Sequence, residues 1–276
     1  MTTSEKLEKL KTLKENADIH ASNLFSKLQE GQKGIKQSII EKHIELYFQY
    51  RSDLKLSTTI QEKVDVYNKF RKFAYKNNRD HQNKEIFTFQ SKFLSTIMEE
   101  FFKLILEPIA TEFGLNCGSS KAFSQLSIEN NPGNEPVATI STKDQDIALY
   151  NEVEITISGK TTKVSVPIVS IECKTWLDKT MLEGSASTGG RIKQGISNAK
   201  FYIITETYGV GKLVHKPKSI DSIFIVKKKI HDNFDQNYDT DSDVVELIYN
   251  EIRMHIQSIN QSTEQLIEAG INKGVI

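Results

Sequence analysis

An apolar run that ends in charged residues constrains this chain more than any other segment. Residues 164–171 (Val-Ser-Val-Pro-Ile-Val-Ser-Ile) predict a buried strand, and Glu172, Cys173 and Lys174 follow it directly. Ionisable side chains at the end of a buried strand cost free energy unless they have a role. Because strand residues alternate between faces, Glu172 and Lys174 share one face and Cys173 points to the other.

A second strand with an acidic start lies upstream of this run. Ile147, Ala148 and Leu149 are apolar, and Asp144 and Asp146 precede them. The two aspartates share a face if the strand already runs through both. We favour Asp146 as the functional residue because the apolar segment follows it directly. We expect Asp144 in a loop or as an outer partner.

The composition indicates a globular chain with a sizeable core. Hydrophobic residues make up 38% and charged residues 26% of the 276 residues, which is typical of an ordinary soluble domain. Lysine plus arginine equals aspartate plus glutamate at 36 each, so the net charge gives no hint of a polyanionic partner. The two cysteines lack Cys-x-x-Cys spacing, and no apolar run approaches the ~20 residues that span a bilayer. These features predict a cytoplasmic protein without a membrane segment.

The first part of the chain predicts helices. Leucines recur at helical spacing from Leu7 to Leu28, and a second apolar periodicity ends near Tyr50. The region contains no strand-like alternation. We therefore predict a helical N-terminal region over residues 1–85 and a second domain over residues 86–276.

A strongly apolar helix is predicted from Phe87 to Leu106, with Pro108 as its stop. At about 100° per residue, Glu99 falls opposite the broad apolar face and Glu100 falls at its edge. We expect Glu99 in water and Glu100 near a site on the sheet. The alternative is a plain surface carboxylate, which is the commoner situation for a glutamate.

The second half of the chain alternates strands and helices. Residues 116–142 are rich in Gly, Ser, Asn and Pro and predict a long connection. Residues 152–157 and 161–166 predict a hairpin, and Pro167 indicates an edge or a bulge. Further strands are predicted at 201–205 and 222–226, and helices at 178–183 (with Asp178 as N-cap), 191–200 and 244–256, with a flexible segment at 184–190. This order predicts an α/β fold, in which a mixed central sheet is flanked by helices and preceded by a helical N-terminal region.

The carboxylates and the lysine suit the hydrolysis of a phosphodiester. This reaction needs an activated water, neutralised charge on the phosphate and help for the departing oxygen, all of which divalent metals supply. Mg²⁺ prefers hard oxygen ligands and keeps several waters, so Asp146, Glu172 and the carbonyl of Cys173 would be sufficient ligands. Lys174 would orient or deprotonate the attacking water, and Glu100 would assist as an outer carboxylate. The alternative is an exposed cross-strand charge pair without a catalytic role.

The motif formed by Asp146, Glu172 and Lys174 resembles that of the PD-(D/E)XK nuclease superfamily. Residues 171–181 are similar in particular to type II restriction endonucleases. Among these they resemble the BbvCI-like enzymes, whose two different subunits each cut one strand of an asymmetric site. One departure is Gln145, which stands where the motif has its proline. The resemblance implies a restriction-endonuclease-like core, Mg²⁺-dependent hydrolysis of double-stranded DNA to 5′-phosphate and 3′-hydroxyl ends, and a second subunit in a heterodimer or homodimer.

Two basic stretches are candidates for contact with DNA under this interpretation. Residues 69–84 carry six basic residues against one acid, with aromatic residues interleaved, which suits contacts to phosphates and sugars. The second stretch lies downstream of the catalytic strands. The predicted DNA-binding residues are Lys69, Arg71, Lys72, Lys76, Arg79, Arg191, Lys193, Lys212 and Lys216. A solvated surface explains the same charges equally well. The N-terminal region would serve DNA recognition or partner contact, and residues 86–276 would form the catalytic domain.

Three functions stay open on the residues alone. The first is a Mg²⁺-dependent, site-specific endonuclease of the type II restriction class, or one subunit of it. The second is a repair or recombination nuclease that cuts by DNA structure. The third is a non-catalytic DNA-binding subunit, against which the intact Asp146, Glu172 and Lys174 argue. The sequence offers no His or Cys/His ligand spacing and no phosphate-binding loop for another chemistry.

Overall fold

A computed structural model describes residues 1–16, 18–30, 35–77, 93–129, 137–157, 159–210, 215–227 and 239–260 of the chain. These residues form seven helices and one five-stranded sheet. The elements follow in the order α1 (Thr3–Glu15), α2 (Ile19–Gln29), α3 (Ile35–Leu56), α4 (Ile60–Lys76), α5 (Phe93–Glu112), β1 (Asn116–Glu129), β2 (Val137–Ile157), β3 (Lys160–Leu177), α6 (Lys179–Gly195), β4 (Lys200–Tyr208), β5 (Ser222–Ile225) and α7 (Ser242–Asn260). The predicted α/β fold with a helical N-terminal region is confirmed.

Two of the N-terminal helices begin with reciprocal caps. The side chains of Thr2 and Thr59 accept hydrogen bonds from the backbone N–H groups of Glu5 and Glu62, and both glutamates return a bond to the cap. These capping boxes satisfy backbone donors that the first turn leaves without partners. The caps therefore set where α1 and α4 begin.

The N-terminal helices share one buried core with the sheet. The same cluster contains Leu10 of α1, Tyr47 of α3, Cys173 of β3 and Ile252 of α7. A second, smaller cluster lies between the sheet and α6. The predicted boundary near residue 85 falls outside the described residues.

The sheet is mixed and has the strand order β1-β2-β3-β4-β5. Strand β2 is antiparallel to both β1 and β3, whereas β4 is parallel to both β3 and β5. The prediction of a long connection over residues 116–142 is wrong, because residues 116–129 form β1 and β2 begins at Val137. The small and polar residues of this segment give no strand signal, and backbone pairing with β2 forms the strand instead.

The predicted hairpin between β2 and β3 is confirmed. Ile157 pairs with Lys160 next to the turn, where Gly159 has a φ of 77° that glycine adopts without strain. The register shifts near Pro167, because this residue pairs with Tyr150 although Val169 pairs with Leu149. One extra residue on β3 makes a β-bulge. The bulge predicted at Pro167 is therefore confirmed as well.

Helix α5 does not stop where Pro108 predicts. It runs through the proline to Glu112. A proline inside a helix costs about 3 kcal/mol, but Ile109 and Ala110 are both buried beyond it. Their packing offsets the lost hydrogen bond and extends the helix.

Helix α6 is longer than predicted. Asp178 is its N-cap, as expected, and its Oδ1 accepts a hydrogen bond from the N–H of Met181 at 2.7 Å. The helix continues through residues 184–190, so the predicted flexible segment is wrong. The predicted strands β4 and β5 and the closing helix α7 are confirmed. Among the helices that the structure describes, none is long and apolar enough to cross a membrane.

Candidate active site

Asp146 and Glu172 lie where β2 and β3 cease to pair. Ile147 pairs with Ile171 across the two antiparallel strands. Asp146 and Glu172 come next on either strand and face the same side of the sheet, as opposed residues in such a ladder do. The backbone N–H of Cys173 donates a hydrogen bond to Oδ2 of Asp146 at 2.9 Å. This bond holds the Asp146 carboxylate against the strand that carries Glu172.

Lys174 forms an ion pair with Glu172. Its Nζ lies 2.7 Å from Oε1 of Glu172, and each side chain is 22% exposed. The other carboxylate oxygen, Oε2 of Glu172, is buried and has no hydrogen-bond partner within the described ranges. A buried acceptor without a donor costs free energy. This oxygen is therefore suited to a cationic ligand.

These groups line an open cavity of about 200 Å³. Its wall consists of Lys143, Asp144, Gln145, Asp146, Glu172, Lys174 and Thr188. Thr188 belongs to α6, whereas the other residues belong to β2 and β3. The cavity therefore lies between the sheet and this helix.

The charges around the cavity shift the pKa values of its groups. Burial alone would lower the pKa of the Lys174 ammonium, but Glu172 and Asp146 outweigh burial and raise this pKa above the ordinary lysine value. On the opposite face, burial raises the pKa of the Cys173 thiol well above its usual range, and Asp146 and Glu99 add to the rise. Lys174 is therefore a cation at neutral pH, and Cys173 is a neutral thiol.

The donor set fits a hard divalent cation. No group of three or more His, Cys, Asp or Glu side chains that could hold a metal is found in the described part of the chain. Asp146 and Glu172 supply two carboxylates, and the backbone carbonyl of Cys173 lies between Glu172 and Lys174 in the chain. Mg²⁺ keeps several waters and takes one or two carboxylates from a protein, whereas structural Zn²⁺ takes four protein ligands. The site thus suits Mg²⁺ and does not suit structural zinc.

Both glutamates of α5 are buried, and neither lies where it was predicted. Glu99, expected in water, is 4% exposed and is among the charges that act on the Cys173 thiol. Glu100, expected at the site, accepts hydrogen bonds from Oη of Tyr47 at 2.6 Å and Nη1 of Arg51 at 2.8 Å. Both partners belong to α3. The structure places Glu100 in a buried ion pair inside the helical region, which corrects its predicted catalytic role to a structural one.

Arg71 is not available for contact with DNA. Its guanidinium donates to both carboxylate oxygens of Glu206, with Nε at 2.9 Å from Oε1 and Nη2 at 2.8 Å from Oε2. The Arg71 side chain is 6% exposed and that of Glu206 is fully buried. This paired and buried position corrects the predicted DNA-binding role of Arg71.

The other predicted DNA-binding residues divide by exposure. Lys69, Lys72 and Lys76 lie exposed on α4, and Lys72 pairs with Asp239. Arg191 is exposed on α6. Lys193 pairs with the carboxylate of Asp221, and Lys216 donates to the backbone carbonyl of the same residue. The predicted residues Arg79 and Lys212 lie outside the described residues.

Sequence reasoning missed three residues of the cavity wall. Lys143 and Gln145 flank the predicted acidic residues at the start of β2, and Thr188 belongs to the predicted flexible segment. Gln145 is buried and donates through Nε2 to the carbonyl of Asp144 at 2.6 Å. The acidic flank of β2 was the only available signal for Lys143 and Gln145, and the sequence holds none for Thr188.

The mixed sheet, its flanking helices and the site at the edge of β2 and β3 define a restriction-endonuclease-like fold. A solved structure described as the native BbvCI A2B2 tetramer at low resolution matches with a TM-score of 0.70, at 18% sequence identity. The match covers 92% of this chain and 98% of that chain. At this identity the likeness shows the fold alone.

A sequence profile identifies the family. The profile of the Bpu10I restriction endonuclease matches residues 90–271, which is more than half of the chain. The chain therefore belongs to the Bpu10I restriction endonuclease family, and its predicted resemblance to BbvCI-like enzymes is confirmed at the level of family and fold. The comparison with curated proteins found no match.

Proposed function

We propose that the chain is a subunit of a type II restriction endonuclease. It hydrolyses double-stranded DNA at a specific site, depends on Mg²⁺ and leaves 5′-phosphate and 3′-hydroxyl ends. The observation that carries the proposal is the placement of the Asp146 carboxylate, bonded to the Cys173 N–H, in one cavity with the Glu172–Lys174 pair. Membership of a restriction endonuclease family supports the same class.

The charge of the cavity supports a divalent cofactor. Asp144, Asp146 and Glu172 bring three carboxylates against the two ammonium groups of Lys143 and Lys174. This balance is negative, so a DNA phosphate would be repelled without an added cation. Asp146, Glu172 and the carbonyl of Cys173 would hold Mg²⁺. When bound, Mg²⁺ supplies an activated water and neutralises charge on the phosphate.

The side chains of the chain itself have separate tasks in this proposal. The Cys173 N–H fixes the orientation of Asp146, since a carboxylate with one bonded oxygen has less rotational freedom. Lys174 holds a positive charge beside Glu172, where it attracts the phosphate and orients the attacking water. The strands β2 and β3 hold these groups on rigid backbone, which preserves their geometry.

A second subunit completes the proposal. The solved structure that matches in fold is described as an A2B2 tetramer. The described residues of this chain place Asp146, Glu172 and Lys174 in one cavity, and one hydrolytic site cuts one strand of a duplex at a time. We infer that a double-strand break needs a second copy or a partner of similar fold.

The test is plasmid cleavage by the purified chain in Mg²⁺, followed by mapping of the ends. Wild type should give ends at one defined sequence, nicked if a partner is missing and linear if the chain self-associates. Lys174→Ala should lower the single-turnover rate by about 10²-fold or more and leave DNA affinity in a gel-shift assay unchanged.

A matched control is Lys179→Ala in α6, since this lysine is 71% exposed and, within the described ranges, pairs with exposed Glu183. It should cleave as wild type does. Ends scattered over many sequences would favour a nuclease that cuts by DNA structure. Wild-type cleavage by Lys174→Ala would contradict the proposed site.

A further inference from the structure

Helix α4 has two different charged faces. Lys69, Lys72 and Lys76 are exposed on one side. On the other side, Tyr67 and Arg71 are buried against the sheet. This helix precedes the segment that the family profile matches. Its buried face therefore lies outside the segment on which the family assignment rests.

Glu206 of β4 is the centre of the contact with α4. Arg71 grips its carboxylate with two hydrogen bonds at 2.9 and 2.8 Å. Oη of Tyr67 donates to the same carboxylate at 3.4 Å, and Nζ of Lys227 lies 3.4 Å away. Burial alone would raise the pKa of Glu206, but Arg71 and Lys227 outweigh it and hold this pKa below its usual range. Glu206 is therefore an anion held by Arg71, Tyr67 and Lys227.

Glu206 lies directly beside the catalytic strand. In the parallel pairing of β3 with β4, Thr205 is opposite Lys174 and Thr207 is opposite Trp176. Glu206 stands between these two registered positions. Tyr67 of α4 and Cys173 of β3 belong to the same buried cluster. The contacts of α4 with Glu206 therefore lie next to the backbone segment that carries Glu172 and Lys174.

Stability alone does not account for this buried pair. Apolar residues of similar volume often replace a buried ion pair without loss, or with a gain, of stability. The fork of an arginine on a carboxylate does fix relative position, because both bonds require one geometry. A misplacement of about 1 Å at a reacting centre can cost about 10²-fold in rate. Position is therefore the property that the pair supplies.

We propose that Arg71 and Glu206 are positioning residues that fix β4 against α4 and, through the backbone pairing of β4 with β3, the placement of Lys174 and Glu172. The proposal rests on the proposed nuclease function. It makes α4 part of the catalytic apparatus, although no residue of α4 lines the cavity.

The test compares the variants Arg71→Met/Glu206→Leu and Arg71→Lys with wild type. The apolar double variant should retain a cooperative thermal transition. Its single-turnover cleavage rate should fall at least about tenfold, whereas its affinity for DNA stays within about twofold of wild type. Trp176 is the only tryptophan of the chain and lies two residues after Lys174, so its emission maximum should shift in the same variant. Arg71→Lys keeps the charge, loses the fork and should be intermediate in rate.

The matched control is the exposed ion pair between Arg253 of α7 and Glu112 of α5, 2.8 Å apart. Its double variant Arg253→Met/Glu112→Leu should cleave at the wild-type rate with unchanged Trp176 emission. A folded Arg71→Met/Glu206→Leu variant with wild-type rate would overturn the positioning role. If that variant loses its thermal transition, a wild-type rate in Arg71→Lys overturns the role instead. An inactive wild type would refute the nuclease function itself, which distinguishes the two failures.

Discussion

At the scale of single residues, burial and hydrogen bonding separate carboxylates that carry the same charge. Glu172 and Glu100 are both ion-paired carboxylates. The Glu172 side chain is 22% exposed and has one oxygen without a hydrogen-bond partner among the described residues, whereas Glu100 is 2% exposed and accepts hydrogen bonds from Tyr47 and Arg51. The first carboxylate has a site open for a ligand, and the second has none. The proposed chemistry therefore uses Glu172, whereas Glu100 is held by contacts inside the helical region.

Replacement of Glu100 by alanine should destabilise the fold and spare the chemistry. Loss of one partner leaves Arg51 buried with less compensation, which costs about 3–5 kcal/mol. Urea unfolding would measure this loss, and single-turnover cleavage below the unfolding range should match wild type. The control is Glu107→Ala, since Glu107 is about half exposed and contacts Lys103 only at 3.7 Å. A stable Glu100→Ala variant with impaired cleavage would restore the catalytic role that the sequence predicted.

His20 should make the fold sensitive to acid. Burial, with a smaller contribution from His43, lowers the pKa of His20 from 6.5 to about 3. Below pH 6.5 the unfolded chain binds a proton at His20, whereas His20 in the folded chain stays neutral down to about pH 3. Unfolding free energy should then fall by up to about 1.4 kcal/mol per pH unit towards pH 3. In His20→Gln, the slope of unfolding free energy against pH should decrease by the amount that one bound proton contributes. The control His215→Gln, at an exposed position, should keep the wild-type slope.

At the scale of elements, close packing of α6 on the sheet decides where its cavity residue lies. A Cβ at Gly189 would meet Cδ1 of Phe201 at 2.7 Å and the carbonyl of Ser219 at 2.8 Å. This glycine therefore lets the helix approach β4. Thr188, the next residue back, reaches the cavity as a result.

Gly189→Ala should push α6 away from the sheet. The overpacking should cost about 1–3 kcal/mol and lower the cleavage rate, since the cavity wall moves with the helix. Gly184→Ala in the same helix has nothing within 4 Å of the new Cβ. It should gain about 0.5–1 kcal/mol from better helix propensity. Thermal melts and cleavage rates of both variants would measure these effects, and equal melts would contradict the packing argument.

Elements with local signals could be predicted, and those that depend on distant partners could not. The alternation and charge of β3 and the N-cap Asp178 act within a few residues, so the sequence sufficed for them. β1 depends on pairing with β2, which no local pattern records. Helix α5 is buried on most sides, so the helical angle could not tell Glu99 from Glu100. The same reasoning placed Asp146, Glu172 and Lys174 correctly as neighbours, because strand alternation is local.

At the scale of the whole molecule, the larger of the two buried clusters contains residues from both sides of the predicted boundary at residue 85. Residues of α1, α3, α5, β3 and α7 belong to the same buried cluster. Ion pairs also join these elements, since Arg71 of α4 pairs with Glu206 of β4 and Arg51 of α3 pairs with Glu100 of α5. The N-terminal helices therefore cover apolar surface of the sheet half.

A chain truncated to residues 86–276 should fail to fold alone. Its α5 would expose Phe101 and Phe102, which are fully buried in the full chain, and Glu206 would lose Arg71. Full-length protein should unfold in one transition by circular dichroism and by Trp176 fluorescence alike. The truncated chain should show dye-binding apolar surface and no cooperative transition. A cooperative melt of the truncated chain would establish the N-terminal region as a separate domain.

The buried thiol of Cys173 can report how often the central strand β3 opens. Its thiol is 2% exposed, and burial raises its pKa well above the usual range, so alkylating reagents meet neither access nor thiolate while the fold is closed. Modification must wait until β3 parts from the helices behind it. The alkylation rate of Cys173 therefore reports how often that separation occurs in the native ensemble.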